Sequence, residues 1–325
     1  MNSKNNWIRD YLGVTAWHKA GYTGSRGCTL TAEEIEGAGK ESHARKTLAV
    51  LHEIAPGRRV VYGDLTGGDV DDLVGQIESI GADSMYASIS WYGGNGAWRR
   101  EIDSKLPACC SLFVSAGNHS ADRDNPMMEA ERVYGVGAVR LIASESRGGV
   151  PVPGADITPI EASYTAASDY VDFAGVTDLY IGDNDRIFNG TSCACPVICG
   201  MAALVNDLAI ARTGRPLDHD MMYWLLRDCA RPINEPGIKD ARMGWGLPIL
   251  PPPEEIDIER YVCMETYKYK DDSSINPAHK ADVYRARELG LMSGHDDLFD
   301  PTAPLTRQQA ASIMVRLYDS LKGDE

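Results

Sequence analysis

A chain of 325 residues can form one large domain, or a large domain joined to a small one. Its 43% hydrophobic and 24% charged residues are ordinary for a folded globular protein and exclude disorder over most of its length. A formal net charge of −15 argues against nucleic acid as a partner, because an acidic protein is repelled by phosphate backbones.

Targeting signals are not evident in this sequence. Its first residues lack the apolar run of a signal peptide. No uninterrupted stretch of about 18 apolar residues follows, so we expect no membrane span. The sequence therefore predicts a cytoplasmic protein. A location at the cell surface would require a leader peptide upstream of this sequence that has been removed.

Short apolar runs alternate with helical patterns from about residue 20 to residue 250. In chain order, these patterns predict a helix through 48–51 that ends at 55–57, a strand at 59–62, a helix at 71–80, and strands at 85–90, 112–115 and 133–139. Such alternation is typical of an α/β fold, in which helices cover both faces of a parallel sheet. Functional sites of these folds lie at the carboxyl ends of the strands.

The composition changes at 247–255, where three consecutive prolines, Pro251 to Pro253, stiffen the chain into an extended linker. We place a domain boundary at this linker. It separates a large domain at 1–253 from a small helical module at 254–325.

The eight cysteines include adjacent and alternating pairs, such as Cys109 with Cys110 and Cys193 with Cys195. This spacing makes a poor disulfide framework and does not supply paired metal ligands. We therefore expect reduced, buried cysteines, no metal site and no cofactor.

The segment most informative about function begins at residue 190 and reads Gly-Thr-Ser-Cys-Ala-Cys-Pro, followed by an apolar helix. Gly190 permits a tight loop before the serine, and the start of a helix stabilises negative charge that develops near Ser192. The segment resembles the Gly-Thr-Ser-Met-Ala-x-Pro signature of the subtilase family. This resemblance implies a subtilisin-like fold and a serine peptidase whose nucleophile is Ser192.

A second resemblance lies at the end of the strand at 112–115, which is followed by Ala-Gly-Asn. In subtilases an asparagine at this point donates its side-chain amide to the oxyanion of the reaction. The resemblance therefore implies that Asn118 fills this role and that Gly117 contacts bound substrate. An uncharged amide suits the role because its hydrogen bond strengthens as the oxyanion forms.

The general base is expected in the stretch 42–57, which resembles the family's His-Gly-Thr-x-Val-Ala helix and its Ile-Ala-Pro-Gly exit. The match implies that His43 is the base. Ala44 and Arg45 depart from the pattern, since the family has glycine and threonine there. The alternative base is His52, which lies outside the motif.

Subtilases place the triad acid, an aspartate, at the end of their first strand. The segment 21–27 resembles the family's lead-in to that strand, yet the residues that follow, 28–37, contain no aspartate. Alternation along this segment favours Glu34, which could orient the imidazole as glutamates do in other triads. A count without gaps favours Glu33, and Glu36 is the third candidate.

Residues 87–94 resemble the strand that holds the substrate backbone beside the specificity pocket of subtilases. The resemblance implies that Ser90, Trp91 and Gly93 contact the substrate. An extended peptide would add to such an edge as a further strand.

The tail at 281–311 resembles a single S-layer homology motif, with a helix, a Gly-x-x-x-Gly turn, a loop with Asp-Pro and a second helix. Motifs of that family usually occur in threes and bind cell-wall polymer. Because only one copy is present, we expect a small helical module that docks a protein partner or packs on the peptidase.

Two hypotheses follow from these segments. The first is a serine endopeptidase that cleaves peptide or protein substrates with a Ser-His-Glu triad. The second is a pseudopeptidase, in which the same fold binds peptides or regulates a partner, and it is motivated by the missing aspartate and the altered histidine motif.

Overall fold

The central element of the protein is a twisted sheet whose strands come from much of the first 176 residues. Its strands are β1 (Cys28–Thr31), β2 (Arg59–Tyr62), β3 (Ser84–Ala87), β4 (Ser111–Ser115), β5 (Val133–Ala143), β8 (Ile157–Glu161) and β9 (Val171–Val176). Within the described residues their order is β2-β1-β3-β4-β5-β8, and β9 also pairs with β5. Every pair is parallel except β5 with β8.

The structure is a computed structural model. It describes residues 1–31, 42–63, 70–87, 96–119, 125–182, 186–262, 269–275, 283–284, 286–287 and 290–322. The chain divides into two compact units, Met1–Cys263 and Met264–Glu325.

Three small hairpin sheets accompany the main sheet. They pair β6 (Ser146–Arg147) with β7 (Val150–Pro151), β10 (Leu179–Ile181) with β11 (Arg186–Phe188), and β12 (Ala230–Arg231) with β13 (Leu247–Pro248). The described helices are α1 (Asn6–Tyr11), α2 (Val14–Lys19), α3 (His43–Ile54), α4 (Val70–Ile80), α5 (Gly96–Lys105), α6 (Thr191–Thr213), α7 (His219–Cys229), α8 (Ile258–Val262) and α9 (Arg307–Lys322).

Helices cover both faces of the sheet. On one face α6 packs against β3, β4, β5 and β9, and α3 packs on α6. On the other face, Leu73 and Ile77 of α4 and Ile102 of α5 share a buried apolar cluster with strand residues such as Leu112. These parallel strands and two helical layers confirm the predicted α/β architecture.

The helix α6 forms the centre of the core. Every residue from Thr191 to Ala209 is buried. Among the described helices, it is long and apolar enough to cross a membrane, but 94% of its most apolar window is buried inside the protein. It approaches α3 closely at Gly200, where a Cβ atom would lie only 2.7 Å from the Cβ of Ile54.

A buried carboxylate on α6 fixes the chain that leads into β1. Asp207 accepts hydrogen bonds from the four consecutive backbone N–H groups of residues 23–26, at 2.7–3.1 Å. This arrangement satisfies the charge of Asp207 inside the protein. It also fixes the start of β1 relative to the helix that carries Ser192.

The strands differ from the sequence predictions in their extent. The strand predicted at 85–90 begins at Ser84 and is described as far as Ala87. The strand predicted at 133–139 continues to Ala143, because its second half pairs with β8. The sequence did not indicate β8, whose alternation is interrupted by Pro159.

The chain beyond the three prolines still packs on the first unit. Arg212 of α6 donates hydrogen bonds to the backbone carbonyls of Ile256 and Pro253, at 2.8 and 3.2 Å. The two units divide after Cys263. The predicted division into a domain at 1–253 and a small helical module at 254–325 stays a prediction.

The described residues of the second unit include a small aromatic core and the helix α9. Tyr269 packs against Tyr284 and Phe299, with ring centroids 5.4 and 5.5 Å apart. Asp271 accepts hydrogen bonds from the backbone N–H groups of Phe299 and Asp300 and so closes the loop before α9. The S-layer homology motif and the docking role of this unit stay predictions.

Candidate active site

Ser192 lies in the first turn of α6, at the carboxyl edge of the parallel sheet. Gly190, which precedes the helix, has a φ of +97°, a conformation that side-chain-bearing residues rarely adopt. Its carbonyl accepts the first helical hydrogen bond, from Cys193 N at 2.9 Å. The serine is therefore presented by a glycine loop at the positive end of a 23-residue helix.

Asn118 is tied to this loop by its side chain. Its Oδ1 accepts hydrogen bonds from the backbone N of Thr191 at 2.9 Å and from Thr191 Oγ1 at 3.0 Å. Gly117 N in turn donates to Thr191 Oγ1 at 3.2 Å. Because the oxygen of the amide is occupied by two donors, the Nδ2 group of Asn118 is the part left to act as a donor towards a ligand.

The space beside Asn118 also explains the glycine at position 190. A Cβ atom on Gly190 would lie 3.2 Å from Asn118 Nδ2 and 3.4 Å from its Oδ1. A side chain would thus crowd the amide in addition to straining the backbone. The structure brings together the predicted site residues Ser192, Asn118 and Gly117.

A closed set of three hydrogen bonds holds the Gly190 peptide in place. Gly190 N donates to Tyr164 Oη at 3.0 Å, and Tyr164 Oη donates to Thr177 Oγ1 at 3.1 Å. Thr177 Oγ1 donates to the carbonyl of Gly190 at 3.3 Å. Burial raises the pKa of Tyr164, so its hydroxyl remains a proton donor above the usual range for tyrosine.

His43 is the first residue of α3 and is exposed. The preceding residue, Ser42, caps the helix by accepting a hydrogen bond from Arg45 N at 3.4 Å. The His43 ring meets the ring of Phe188 edge to face, with centroids 5.7 Å apart. Because Phe188 ends β11 just before the serine loop, this contact places His43 beside the segment that presents Ser192.

His52 lies at the other end of the same helix. Nine residues of helix correspond to about 13 Å of rise from His43. The Nε2 atom of His52 is 3.1 Å from the carbonyl oxygen of Arg58, which is a hydrogen-bonding distance. The geometry therefore favours His43 over His52 as the histidine near Ser192.

The remaining predicted residues lie outside the described residues. These are the candidate acids Glu33, Glu34 and Glu36 and the candidate substrate contacts Ser90, Trp91 and Gly93. The strands that lead to them, β1 and β3, are adjacent and parallel, and β3 is adjacent to β4. Their described carboxyl ends thus share the sheet edge at which Asn118 lies.

Four residues around the site had no role in the sequence predictions: Thr191, Tyr164, Thr177 and Phe188. Thr191 is part of the Gly-Thr-Ser signature, so its pattern was visible although its contacts were not. Tyr164 and Thr177 reach the loop from more distant positions in the chain. Phe188 lies two residues before Gly190, but its contact with His43 joins distant segments, and no local pattern reveals such contacts.

The cysteines that follow Ser192 in α6 are buried, which disfavours their reactive, deprotonated form. Burial raises the pKa of the Cys193 thiol to about 12 and that of Cys199 to about 11, which disfavours the reactive thiolate. Cys109 is exposed, so the expectation of uniformly buried cysteines is wrong for this residue. It lies in the turn that precedes β4, where the chain crosses the surface.

Comparisons with known proteins agree with this fold. No family model and no curated protein matches the sequence. A lanthipeptide protease structure has a TM-score of 0.52 and 16% identity over 80% of this chain and 96% of its own. The prenylagaramide maturation protease PagA has a TM-score of 0.53 and 18% identity over 77% and 97%.

The third comparison is with fervidolysin from Fervidobacterium pennivorans, a keratinolytic enzyme related to subtilisin. It has a TM-score of 0.55 and 17% identity, over 76% of this chain and 46% of its own. The fold of this chain therefore resembles that of subtilisin-like serine proteases.

Proposed function

We propose that the protein is a serine endopeptidase that hydrolyses peptide bonds in peptide or protein substrates. The observation that carries this proposal is the fixed orientation of Asn118, whose Oδ1 is held by Thr191 at 2.9 and 3.0 Å next to the start of α6. The two hydrogen bonds tie the serine loop to the end of β4, and they also orient the amide. A donor to an oxyanion needs this orientation, because its Nδ2 group must face the reacting carbonyl.

In the proposed reaction, Ser192 Oγ attacks the scissile carbonyl carbon and forms a tetrahedral intermediate. His43 accepts the serine proton and returns it to the leaving amine, which breaks the peptide bond and leaves an acyl-enzyme. Water then attacks the acyl group, with His43 as the base again, and releases Ser192. Asn118 and the backbone at Ser192 stabilise both oxyanions.

We assign the acid to Glu34, with Glu33 and Glu36 as the alternatives. A glutamate would hold the His43 imidazole in the correct tautomer and stabilise the imidazolium. Its role would be to orient the base and not to accept the proton. Ser90, Trp91 and Gly93 are the proposed contacts to the backbone of the substrate.

A fluorophosphonate probe tests this function, because it phosphonylates an activated serine with loss of fluoride and leaves an ordinary serine unmodified. Wild-type protein should be labelled at neutral pH, and Ser192→Ala should not. Ser168→Ala is the matched control, since Ser168 and Ser192 are equally buried at 9% exposure and the Ser168 hydroxyl accepts a hydrogen bond from Tyr170 N at 3.3 Å. This control should be labelled like the wild type.

The same assay assigns the acid. Glu33→Gln, Glu34→Gln and Glu36→Gln replace each carboxylate by an amide of the same shape, and only the true acid should slow labelling strongly. If folded wild-type protein is not labelled, the endopeptidase is excluded and the pseudopeptidase hypothesis takes its place. Two of the similar structures are, by their names, a lanthipeptide protease and a maturation protease, so short peptides are the first substrates to test.

A further inference from the structure

The N-terminal segment 2–9 contains polar residues that are buried without belonging to the proposed triad. Asn5 is fully buried and Arg9 is 6% exposed. Burial of polar side chains is costly unless they are hydrogen-bonded, so their partners show what the segment holds together. These partners belong to two separate elements of the active site.

One partner is the helix that begins with His43. Arg9 forms a buried ion pair with Glu53, which lies in the last turn of α3. The backbone N–H of Asn2 also donates to the Glu53 carboxylate. The N-terminal segment is therefore attached to the end of α3 opposite His43.

The other partner is the hairpin that leads to the serine loop. Asn5 Nδ2 donates to the carbonyl of Tyr180 at 2.8 Å, and Tyr180 N donates to Asn5 Oδ1 at 3.0 Å. Asn2 Nδ2 donates to the carbonyl of Gly182 at 3.0 Å. The Asn5 side chain thus pairs with β10 as a neighbouring strand would.

This pairing matters because the hairpin is small. Among the described strands, β10 pairs with β11 alone, and an isolated two-stranded sheet is marginally stable. In the hairpin Leu179 pairs with Phe188, the residue whose ring contacts His43. Loosening of β10 would therefore displace the ring that borders the base.

We propose that Asn5 is a positioning residue, which holds the β10–β11 hairpin so that Phe188 and the serine loop keep their place against His43. The circuit runs from α3 through the Glu53–Arg9 ion pair, along the N-terminal segment to Asn5 and β10, and back through Phe188 to His43. Small displacements of catalytic groups lower the rate of reaction more than they weaken substrate binding. The catalytic part of this inference rests on the proposed endopeptidase function.

The test compares Asn5→Ala with Asn206→Ala in full-length protein at a temperature at which circular dichroism shows both to be folded. Asn206 is a matched control because it is also fully buried, its Oδ1 accepts from Leu217 N at 3.0 Å, and it lies about 21 Å of helix beyond Ser192 in α6. Asn5→Ala should lower kcat and the rate of fluorophosphonate labelling by about 10- to 100-fold with little change in KM. Asn206→Ala should leave these rates unchanged.

A second measurement does not depend on catalysis. Because the Phe188 ring lies edge to face with the His43 ring, its ring current should shift the NMR signals of the His43 ring protons. These signals should move in Asn5→Ala and stay in place in Asn206→Ala. If Asn5→Ala does not fold, Glu53→Gln tests the same circuit from its other end, with the same expected slowing and the same movement of the His43 signals.

The outcomes separate the two proposals. Labelling rates and His43 signals that are unchanged in Asn5→Ala, or changed equally in Asn206→Ala, would overturn the positioning role. A wild-type protein that is not labelled, but whose His43 signals still move in Asn5→Ala, would remove the endopeptidase and leave the role of Asn5 in holding the hairpin.

Discussion

The two sides of the proposed site are built in different ways. The nucleophile side, made of Asn118 and the loop 190–192, connects a buried strand to the central helix and is held by hydrogen bonds to side chains and backbone. The base side, made of His43 and Phe188, joins an exposed helix start to the end of a small hairpin through an aromatic contact.

This difference indicates where the fold tolerates substitution of the residues around the site. Atoms of the nucleophile side are fixed by the core, because any displacement would break several buried or partly buried hydrogen bonds at once. The nucleophile segment keeps the glycine, threonine and serine of the subtilase signature at 190–192 and differs at Cys193, which is buried. The base side differs next to the histidine itself, where Arg45 is exposed and Ala44 packs inward at the first turn of α3. Four substitutions test the contrast.

The largest effect is expected from His43→Ala. Loss of the base should lower kcat by about 10⁶-fold, a magnitude borrowed from single triad substitutions in subtilisin. Peptide hydrolysis and fluorophosphonate labelling measure it. His52→Ala is the control on the same helix, and strong loss in that variant with activity retained in His43→Ala would reverse the assignment.

Asn118→Ala should lower kcat by about 10²–10³-fold with KM nearly unchanged, the magnitude known for the equivalent type of donor in subtilisin. Asn118→Asp sharpens this prediction. The aspartate keeps an acceptor for Thr191 but places a negative charge next to the developing oxyanion. It should be at least as slow as the alanine variant, and near-normal kcat in either variant would contradict the oxyanion role.

Gly200→Ala tests the packing that joins the two sides. The added methyl group would lie 2.7 Å from the Cβ of Ile54, so α3 and α6 must separate. We expect a loss of about 1–3 kcal/mol in the free energy of unfolding, measured by urea denaturation. Gly75→Ala in the exposed middle of α4 is the control, because no atom lies within 4 Å of the added Cβ. This substitution should stabilise the protein slightly, since alanine favours a helix more than glycine does.

The smallest effect is expected from Tyr164→Phe, which removes only the hydroxyl that bridges Gly190 and Thr177. Loss of this bridge should lower kcat by about tenfold or less, since a net hydrogen bond is worth about 1 kcal/mol. Because burial raises the pKa of Tyr164, the ratio of wild-type to variant rates should stay constant as pH approaches the usual range for tyrosine. Tyr261→Phe, which removes a hydrogen bond to Asp228, should leave kcat unchanged.

Much of the nucleophile side could be predicted from the sequence, because its residues are neighbours in the chain. The glycine, threonine and serine at 190–192 and the helix that follows form one local signature, and Asn118 follows a strand with its own pattern. The alternation of strands and helices likewise predicts the parallel sheet. Local sequence determines these features because each depends on a few adjacent residues.

The tertiary structure decided the contacts between distant segments. It placed the ring of His43 against Phe188, whereas His52 lies within hydrogen-bonding distance of the Arg58 carbonyl. It also placed the Asn5 side chain on the Tyr180 backbone. It also showed that Arg212 of α6 holds the segment after Pro253, through a hydrogen bond to the carbonyl of Ile256. No periodicity or motif encodes such pairings, because they depend on how elements far apart in the chain pack around α6.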